Sequence, residues 1–349
     1  MPNSDNSDKT LFWDKEKNAI VFVRQTLLPA EFKTAECRTI EDLAEAIRTL
    51  DIRGAPALGV AGGYGVALAT VVHDDRNIEG FMRLVSDDAK YLASTRPTAI
   101  NLSWGINRVF KAIEDAESVD DARAAAIAEA DAIAHEDEEM CRSIGRNGAA
   151  LLPDKCTVLT HCNAGALACW TWGTALGLIR SAVEAGKEVS VISCETRPLN
   201  QGSRLTAWEL ARDKIPVKTI TDSSAAFLMR KGMIDAVVVG ADRITSDAVF
   251  NKIGTYMHAV SAKYHNIPFY VAAPYSTFDA VRLEKDIVIE ERSRDELAFC
   301  GGRQLMPDNV DALNYAFDAT PIDLVTAIIT EKGVLRPPLA KEDLTRGRI

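Results

Sequence analysis

From about residue 155 the chain alternates short β-branched runs with helical patterns, and this restricts the possible folds more than any other feature. Residues 157–160, 189–193, 217–220, 236–239, 269–272 and 287–289 read as strands. Residues 166–185, 204–212, 224–231 and 252–264 read as the helices between them. Strands separated by helices and joined by short connections pair through crossovers, so the expected fold is an α/β, Rossmann-like parallel sheet.

The first half has a different rhythm. Residues 11–28 alternate as a β-hairpin turning at Glu16-Lys17-Asn18. Residues 40–50 have helical spacing with Thr39 as the start signal, residues 55–70 are apolar and glycine-rich, and residues 101–116 are amphipathic. Residues 120–148, rich in Ala, Glu and Asp, read as one long exposed helix. The expected organisation is a small, mainly helical N-terminal domain with a little sheet over residues 1–120, a connecting helix over 121–150 and the Rossmann-like domain over 151–349.

A formal net charge of −10 argues against a general nucleic-acid or membrane-surface binder, while local basic residues still allow an anionic small molecule. No uninterrupted apolar run reaches the roughly eighteen residues of a membrane span, so none is expected. The opening Met1-Pro2-Asn3-Ser4-Asp5 is polar and lacks a signal pattern. Seven scattered cysteines without a C-x-x-C pair fit buried thiols in a reducing cytoplasm. Five widely spaced histidines give no zinc pattern, so no metal is expected.

Two polar clusters follow strand-like runs: His161-Cys162-Asn163 after residues 157–160, and Gly240-Ala241-Asp242-Arg243 after residues 235–239. Ligands of open parallel sheets sit at the carboxyl ends of the strands, so a thiol and a carboxylate delivered there suggest an active site. The alternatives are a cysteine packed as a small hydrophobe and an aspartate that pairs with Arg243 or caps a helix. A helix start after Cys162 would also lower its thiol pKa. An aspartate at a buried strand end has to be paired, hydrogen-bonded or shifted in pKa.

Arg53-Gly54-Ala55-Pro56 opens a helix, where backbone N–H groups and the helix dipole favour an anion. The neighbouring glycines equally allow close helix packing. Thr95-Arg96-Pro97-Thr98 sets a second arginine at a helix entry. The polar loop Glu195–Gly202 follows the 189–193 run, with Asn200 or Gln201 as an alternative helix cap. Asn251-Lys252 reads as the start of a helix, where a lysine can meet a phosphate. Neither a dinucleotide fingerprint nor a P-loop is present.

Together these segments resemble the methylthioribose-1-phosphate isomerases, part of a superfamily with ribose-1,5-bisphosphate isomerases and the regulatory subunits of the translation initiation guanine-exchange factor. The resemblance runs from about residue 13 to residue 338. It is carried by Ile52-Arg53-Gly54-Ala55-Pro56, Thr95-Arg96-Pro97-Thr98-Ala99, Leu159-Thr160-His161-Cys162-Asn163-Ala164-Gly165-Ala166-Leu167-Ala168, Glu195-Thr196-Arg197-Pro198-Leu199-Asn200-Gln201-Gly202, Gly240-Ala241-Asp242-Arg243-Ile244, Asn251-Lys252-Ile253-Gly254-Thr255-Tyr256 and Ile328-Ile329-Thr330-Glu331-Lys332-Gly333. It implies a cytoplasmic homodimer that uses no cofactor and isomerises an aldose phosphate, 5-methylthioribose 1-phosphate, to the matching ketose in methionine salvage. No nucleic-acid or membrane partner is implied. By the resemblance Cys162 and Asp242 are catalytic, and Arg53, Gly54, Ala55, Arg96, Gln201, Asn251 and Lys252 bind the substrate and its phosphate. Two departures bear on the sugar's C5 substituent. The loop Thr245-Ser246-Asp247-Ala248-Val249-Phe250 is one residue shorter than in the isomerases and leans toward the bisphosphate and exchange-factor branches. Trp170 and Trp172 stand where smaller residues are common. Ribose 1,5-bisphosphate, 5-deoxyribose 1-phosphate and a non-enzymatic regulatory subunit are the alternatives.

Overall fold

The computed structural model describes residues 8–345, Arg76 and Thr98 excepted. The polar stretch at the start of the chain and Thr98 therefore lie outside the described residues. The chain divides into two compact units, residues 1–140 with 165–173, and residues 141–164 with 174–349.

In the first unit β1 (Leu11–Asp14), β2 (Ala19–Val23) and β3 (Thr34–Cys37) form an antiparallel sheet in that order. Asn18, with φ 49°, makes the turn between the first two. Next come α1 (Ile40–Arg48), α2 (Ala55–Val72), α3 (Ile78–Ser94), α4 (Ile100–Ile113) and α5 (Val119–Ala149). Thr39 caps α1 in a reciprocal box with Asp42: the hydroxyl accepts from Asp42 N at 3.2 Å, and the Asp42 carboxylate accepts from Thr39 N at 3.0 Å. By length and composition α2 is apolar enough to cross a membrane, which the sequence reading did not expect. Its apolar character all round matches its burial: Ala57 through Thr70 are buried within this unit. Its glycines serve packing against α4, where a Cβ on Gly105 would come within 2.0 Å of the Gly59 carbonyl oxygen.

The second unit runs β4 (Lys155–Thr160), α6 (Ala175–Glu184), β5 (Glu188–Cys194), α7 (Ala207–Arg212), β6 (Val217–Ile220), α8 (Ala225–Arg230), β7 (Ala236–Val239), β8 (Arg243–Ile244), β9 (Ala248–Lys252), α9 (Thr255–Tyr264) and β10 (Phe269–Ala272). It continues through α10 (Asp295–Ala298), β11 (Phe299–Cys300), β12 (Arg303–Gln304), β13 (Phe317–Pro321), β14 (Ala327–Thr330), β15 (Gly333–Leu335) and α11 (Lys341–Thr345). The main sheet has seven strands in the order β15-β14-β10-β7-β4-β5-β6. All pair in parallel except β15, which is antiparallel to β14. From β4 the chain builds outward through β5 and β6, then returns and builds the other way from β7. The order reverses between β4 and β7, and the crevice at the carboxyl ends of those two strands is where such sheets bind ligands.

Three expectations are corrected. Residues 287–289 form no strand; Val288 is 95 % exposed, and β14 takes the place beside β10. The helix expected over 166–185 is broken: a single 3-10 turn, Ala166–Ala168, precedes α6, and Trp172 (φ 62°) and Gly173 (φ 85°) turn the chain between them. The segment 165–173 belongs to the first unit, and α5 is shared at Met140/Cys141, so the units are not consecutive stretches.

Candidate active site

Cys162 stands two residues past β4, half-buried, with φ 64°. A left-handed conformation is uncommon for a residue with a side chain and persists where surrounding bonds fix it. Here two hydroxyls do so. The Cys162 N–H donates to Thr196 Oγ1 at 2.8 Å, and Thr206 Oγ1 donates to the Cys162 carbonyl at 2.7 Å. Thr196, itself at φ 66° and fully buried, donates its hydroxyl to Cys194 O at 3.0 Å. Both oxygens of Asp222 accept backbone N–H groups, from Thr196 and Arg197, each at 2.8 Å. Thus the loops after β4, β5 and β6 share one hydrogen-bond frame with Cys162 at its end. No α-helix begins directly after Cys162, so the helix-terminus activation suggested by the sequence is absent; α6 starts only at Ala175.

β7 reaches the same end of the sheet beside β4, with Leu159 opposite Val237. A Cβ on Gly240 would lie 2.7 Å from the Ala164 side chain, so only glycine lets the two chain segments approach this closely. Asp242 then opens the hairpin of β8 and β9, its N–H donating to Phe250 O at 2.8 Å. Arg243 pairs with Phe250 across that hairpin, and carrying the register one residue further sets Asp242 opposite Asn251. Contrary to the buried carboxylate expected from sequence, Asp242 is exposed, and Arg243 pairs with Asp279 at 3.0 Å. Asn251 and Lys252 end β9 instead of starting a helix, and both are buried. The Lys252 ammonium lies 4.9 Å from the centre of the Phe317 ring. Opposite Asn251 is Asp318, whose carboxylate accepts from Gly254 N at 2.7 Å. Burial pushes that carboxyl up to about 6, against the opposing pull of the Gly254 and Tyr256 N–H groups and Lys252.

Gln201 lies in the loop after β5, buried, and its amide oxygen meets no hydrogen-bond partner; the Asn200 amide oxygen is in the same state. Buried amide oxygens without a partner are costly unless a ligand or water completes them. These two acceptors suit the hydroxyls of a sugar.

Arg53, Gly54, Ala55 and Arg96 belong to the first unit. Gly54 caps α2 with φ 91°, and a Cβ there would come within 2.5 Å of the Ala168 backbone. Arg53 Nε donates to Gln25 Oε1 at 3.1 Å, and the buried Gln25 amide donates to Leu167 O at 2.7 Å. The α2 entry is thereby fixed against the 165–173 segment. Arg96 lies between α3 and α4, partly buried. Trp170 is packed in the core of the first unit, 3 % exposed, which removes it as an apolar wall for a ligand. Its backbone N–H donates to Asp137 Oδ2 at 2.7 Å.

The sequence reading passed over Thr196, Thr206 and Asp222. The bonds that tie them to Cys162 and to the loop after β5 span 25 to 44 residues of chain, so no local pattern exposes them.

Residues 51–337 match the Initiation factor 2 subunit family. A protein of Methanosarcina acetivorans, named as a putative methylthioribose-1-phosphate isomerase, is 56 % identical over 336 residues, covering 96 % of this chain and 97 % of the relative. Among solved structures, the 5-methylthioribose 1-phosphate isomerase of Pyrococcus horikoshii OT3 superposes with a TM-score of 0.91 at 42 % identity, over 97 % of this chain and 95 % of that one. A chain of A. fulgidus described as translation initiation factor eIF-2B, subunit delta, superposes with a TM-score of 0.89 at 55 % identity, over 95 % of this chain and 97 % of that one. With most of its length matched, the chain belongs to the Initiation factor 2 subunit family.

Proposed function

We propose that the chain is an aldose–ketose isomerase, converting 5-methylthioribose 1-phosphate to 5-methylthioribulose 1-phosphate as a homodimer. The observation that carries this is Cys162, held in a left-handed conformation by two threonine hydroxyls at the reversal of strand order, with Asp242 three residues past the end of the adjoining strand β7. The names of the relatives at 56 % and 42 % identity support the substrate. An exposed row on α9, Tyr256, Val260 and Tyr264, supports pairing with a second copy.

The phosphate on the anomeric oxygen prevents the ring from opening as a free hemiacetal does. The net change is a hydrogen moved from C2 to C1 and a proton moved from the C2 hydroxyl to the ring oxygen, as the C1–ring oxygen bond breaks and C2 becomes a carbonyl. Asp242 serves the oxygens: it accepts the C2 hydroxyl proton and returns it to the ring oxygen. Cys162 serves the C1–C2 edge as the second proton-handling group. Lys252, Asn251 and Gln201 hold the phosphate and hydroxyls, which fixes the sugar in place; for Arg53 and Arg96, in the first unit, a phosphate role rests on the resemblance alone.

The name of the A. fulgidus structure raises a second reading, a regulatory subunit of the exchange-factor type, which the isomerase names of the relatives, an A. fulgidus protein 55 % identical among them, do not favour. Such a subunit needs neither Cys162 nor Asp242 for chemistry. One preparation, with its mass set by light scattering, decides between them. Turnover is measured on 5-methylthioribose 1-phosphate, 5-deoxyribose 1-phosphate and ribose 1,5-bisphosphate. Highest kcat/KM on the methylthio sugar is expected. Preference for the bisphosphate overturns the substrate, and no turnover of any sugar together with capture of an initiation factor overturns the enzyme.

A further inference from the structure

Beneath Cys162, on the inner side of the frame that holds it, the chain gathers four metal-ligating side chains from four elements. His161 follows β4, Cys194 ends β5, Asp222 follows β6 and His258 lies in α9; one potential ligand atom from each falls within 4.8 Å of the other three. We propose that this cluster is a structural zinc site that ties the carboxyl ends of β4, β5 and β6 to α9.

Geometry is the first support. A tetrahedral ion with bonds of about 2.0–2.1 Å to nitrogen and oxygen needs neighbouring ligand atoms roughly 3.3 Å apart. The His161 Nδ1 to His258 Nε2 distance is 3.1 Å and the His161 Nδ1 to Asp222 Oδ1 distance is 3.7 Å, on either side of that value. Two nitrogens, a sulfur and an oxygen are a donor set that zinc accepts.

The second support is the hydrogen bonding around the ligands. His161 Nε2 lies 2.8 Å from the Ile253 carbonyl, which can only accept, so the proton sits on Nε2 and Nδ1 presents its lone pair to the cluster. A backbone carbonyl holding the far nitrogen is the usual outer support of a metal-bound histidine. His258 is fully buried and turns its Nε2 to the cluster, where without an ion it donates to His161 Nδ1. Asp222 is bound to the Thr196 and Arg197 N–H groups, which orients its carboxylate.

Charge is the third. The His161 and His258 rings are both buried. Neutral imidazole is the form that binds a metal. The Cys194 thiol is fully buried. Zinc would displace the thiol proton to solvent, and the Cys194 thiolate and Asp222 carboxylate would then cancel the two positive charges. Asp222, with its side chain 21 % exposed, marks the side from which an ion enters.

The site's sequence spacing, from residue 161 to residue 258, hides it from any zinc motif. It stands independently of the proposed reaction, because no step runs through the ion. The test uses the full chain purified with zinc, desalted, and measured for metal by mass spectrometry. The expectation is one zinc per chain in the wild type and a melting temperature that falls on chelation and recovers with zinc. C194S and H258L should weaken zinc binding by at least about a hundredfold, since even outer-shell losses cost ten- to a hundredfold. Cobalt in place of zinc should give a thiolate charge-transfer band that C194S abolishes. A wild type that neither takes up zinc nor shifts its melting temperature overturns the proposal. Zinc retained equally by C194S, or lost instead in C162S, overturns it too, by placing the ion elsewhere. Should H258L fail to fold, the wild type and C194S still decide.

Discussion

Cys162 pays for its position with a left-handed backbone that costs roughly 1–2 kcal/mol in a residue carrying a side chain. Such strain at the ligand-binding end of the sheet marks the residue as positioned for chemistry. Cys162→Ala is expected to abolish turnover, and Asp242→Asn to lower kcat by about 10²–10⁴-fold, with the fold retained in both because neither side chain fills the core. Activity of either variant within a few-fold of wild type would reject the assignment. Thr196 acts differently, through the Cys162 N–H that it accepts. Thr196→Val keeps the shape and removes the acceptor, leaving a backbone donor unmet at a cost of about 1–3 kcal/mol. We expect a lower melting temperature together with a fall in kcat at steady KM; a stability loss alone would make Thr196 purely structural.

At the scale of elements, the α2 entry combines two properties. Gly54 brings the backbone against Ala168, and Arg53 is steadied by Gln25. Arg53→Ala is expected to raise KM about tenfold to a hundredfold, because it removes charge-assisted bonds of roughly 1.5–3 kcal/mol from the phosphate. An unchanged KM in a folded variant would leave the arginine with only its Gln25 bond. The elements that were legible in the sequence explain those that were not. β7 and β10 are fully buried, β-branched or aromatic runs bounded by polar turns, and their ends fall where the pattern put them. The 287–289 run carries similar residues, but no neighbouring strand accepts it, and strand propensity expresses itself only where a partner exists. α3 carries its apolar residues at Phe81, Val85, Ala89 and Leu92, and strongly polar intervening residues masked that spacing. At the site, Cys162, Gln201, Asp242, Asn251 and Lys252 were readable because each follows a strand-like run or lies in the resembling segments. The threonines and Asp222 that hold Cys162 were not, since their bonds join distant parts of the chain.

Over the whole molecule, Asp137 sets one part of the pH dependence. Its carboxyl is fully buried, and burial pushes it up to about 7 from an ordinary 3.8, although the Trp170 N–H pulls it the other way. Between those values the folded state holds a proton that the unfolded state has lost, so this group's contribution to stability falls as pH rises from about 4 to about 7. Asp137→Asn can still accept from Trp170 and has no charge to bury. Its melting temperature should therefore decline less than that of the wild type between pH 5 and pH 8, in roughly the window where the carboxyl ionises; parallel curves would show that Asp137 takes up no proton on folding. Trp170 also carries a consequence for synthesis. It belongs to the core of the first unit, yet residues 141–164, which are part of the second, are made before it. On the ribosome the first unit cannot close when residue 140 emerges; its core stays open until the 165–173 segment has followed, by which time β4 is already outside the tunnel. A gene cut at that early boundary would deliver a fragment without its last core tryptophan, prone to capture by chaperones and not to release as a finished domain.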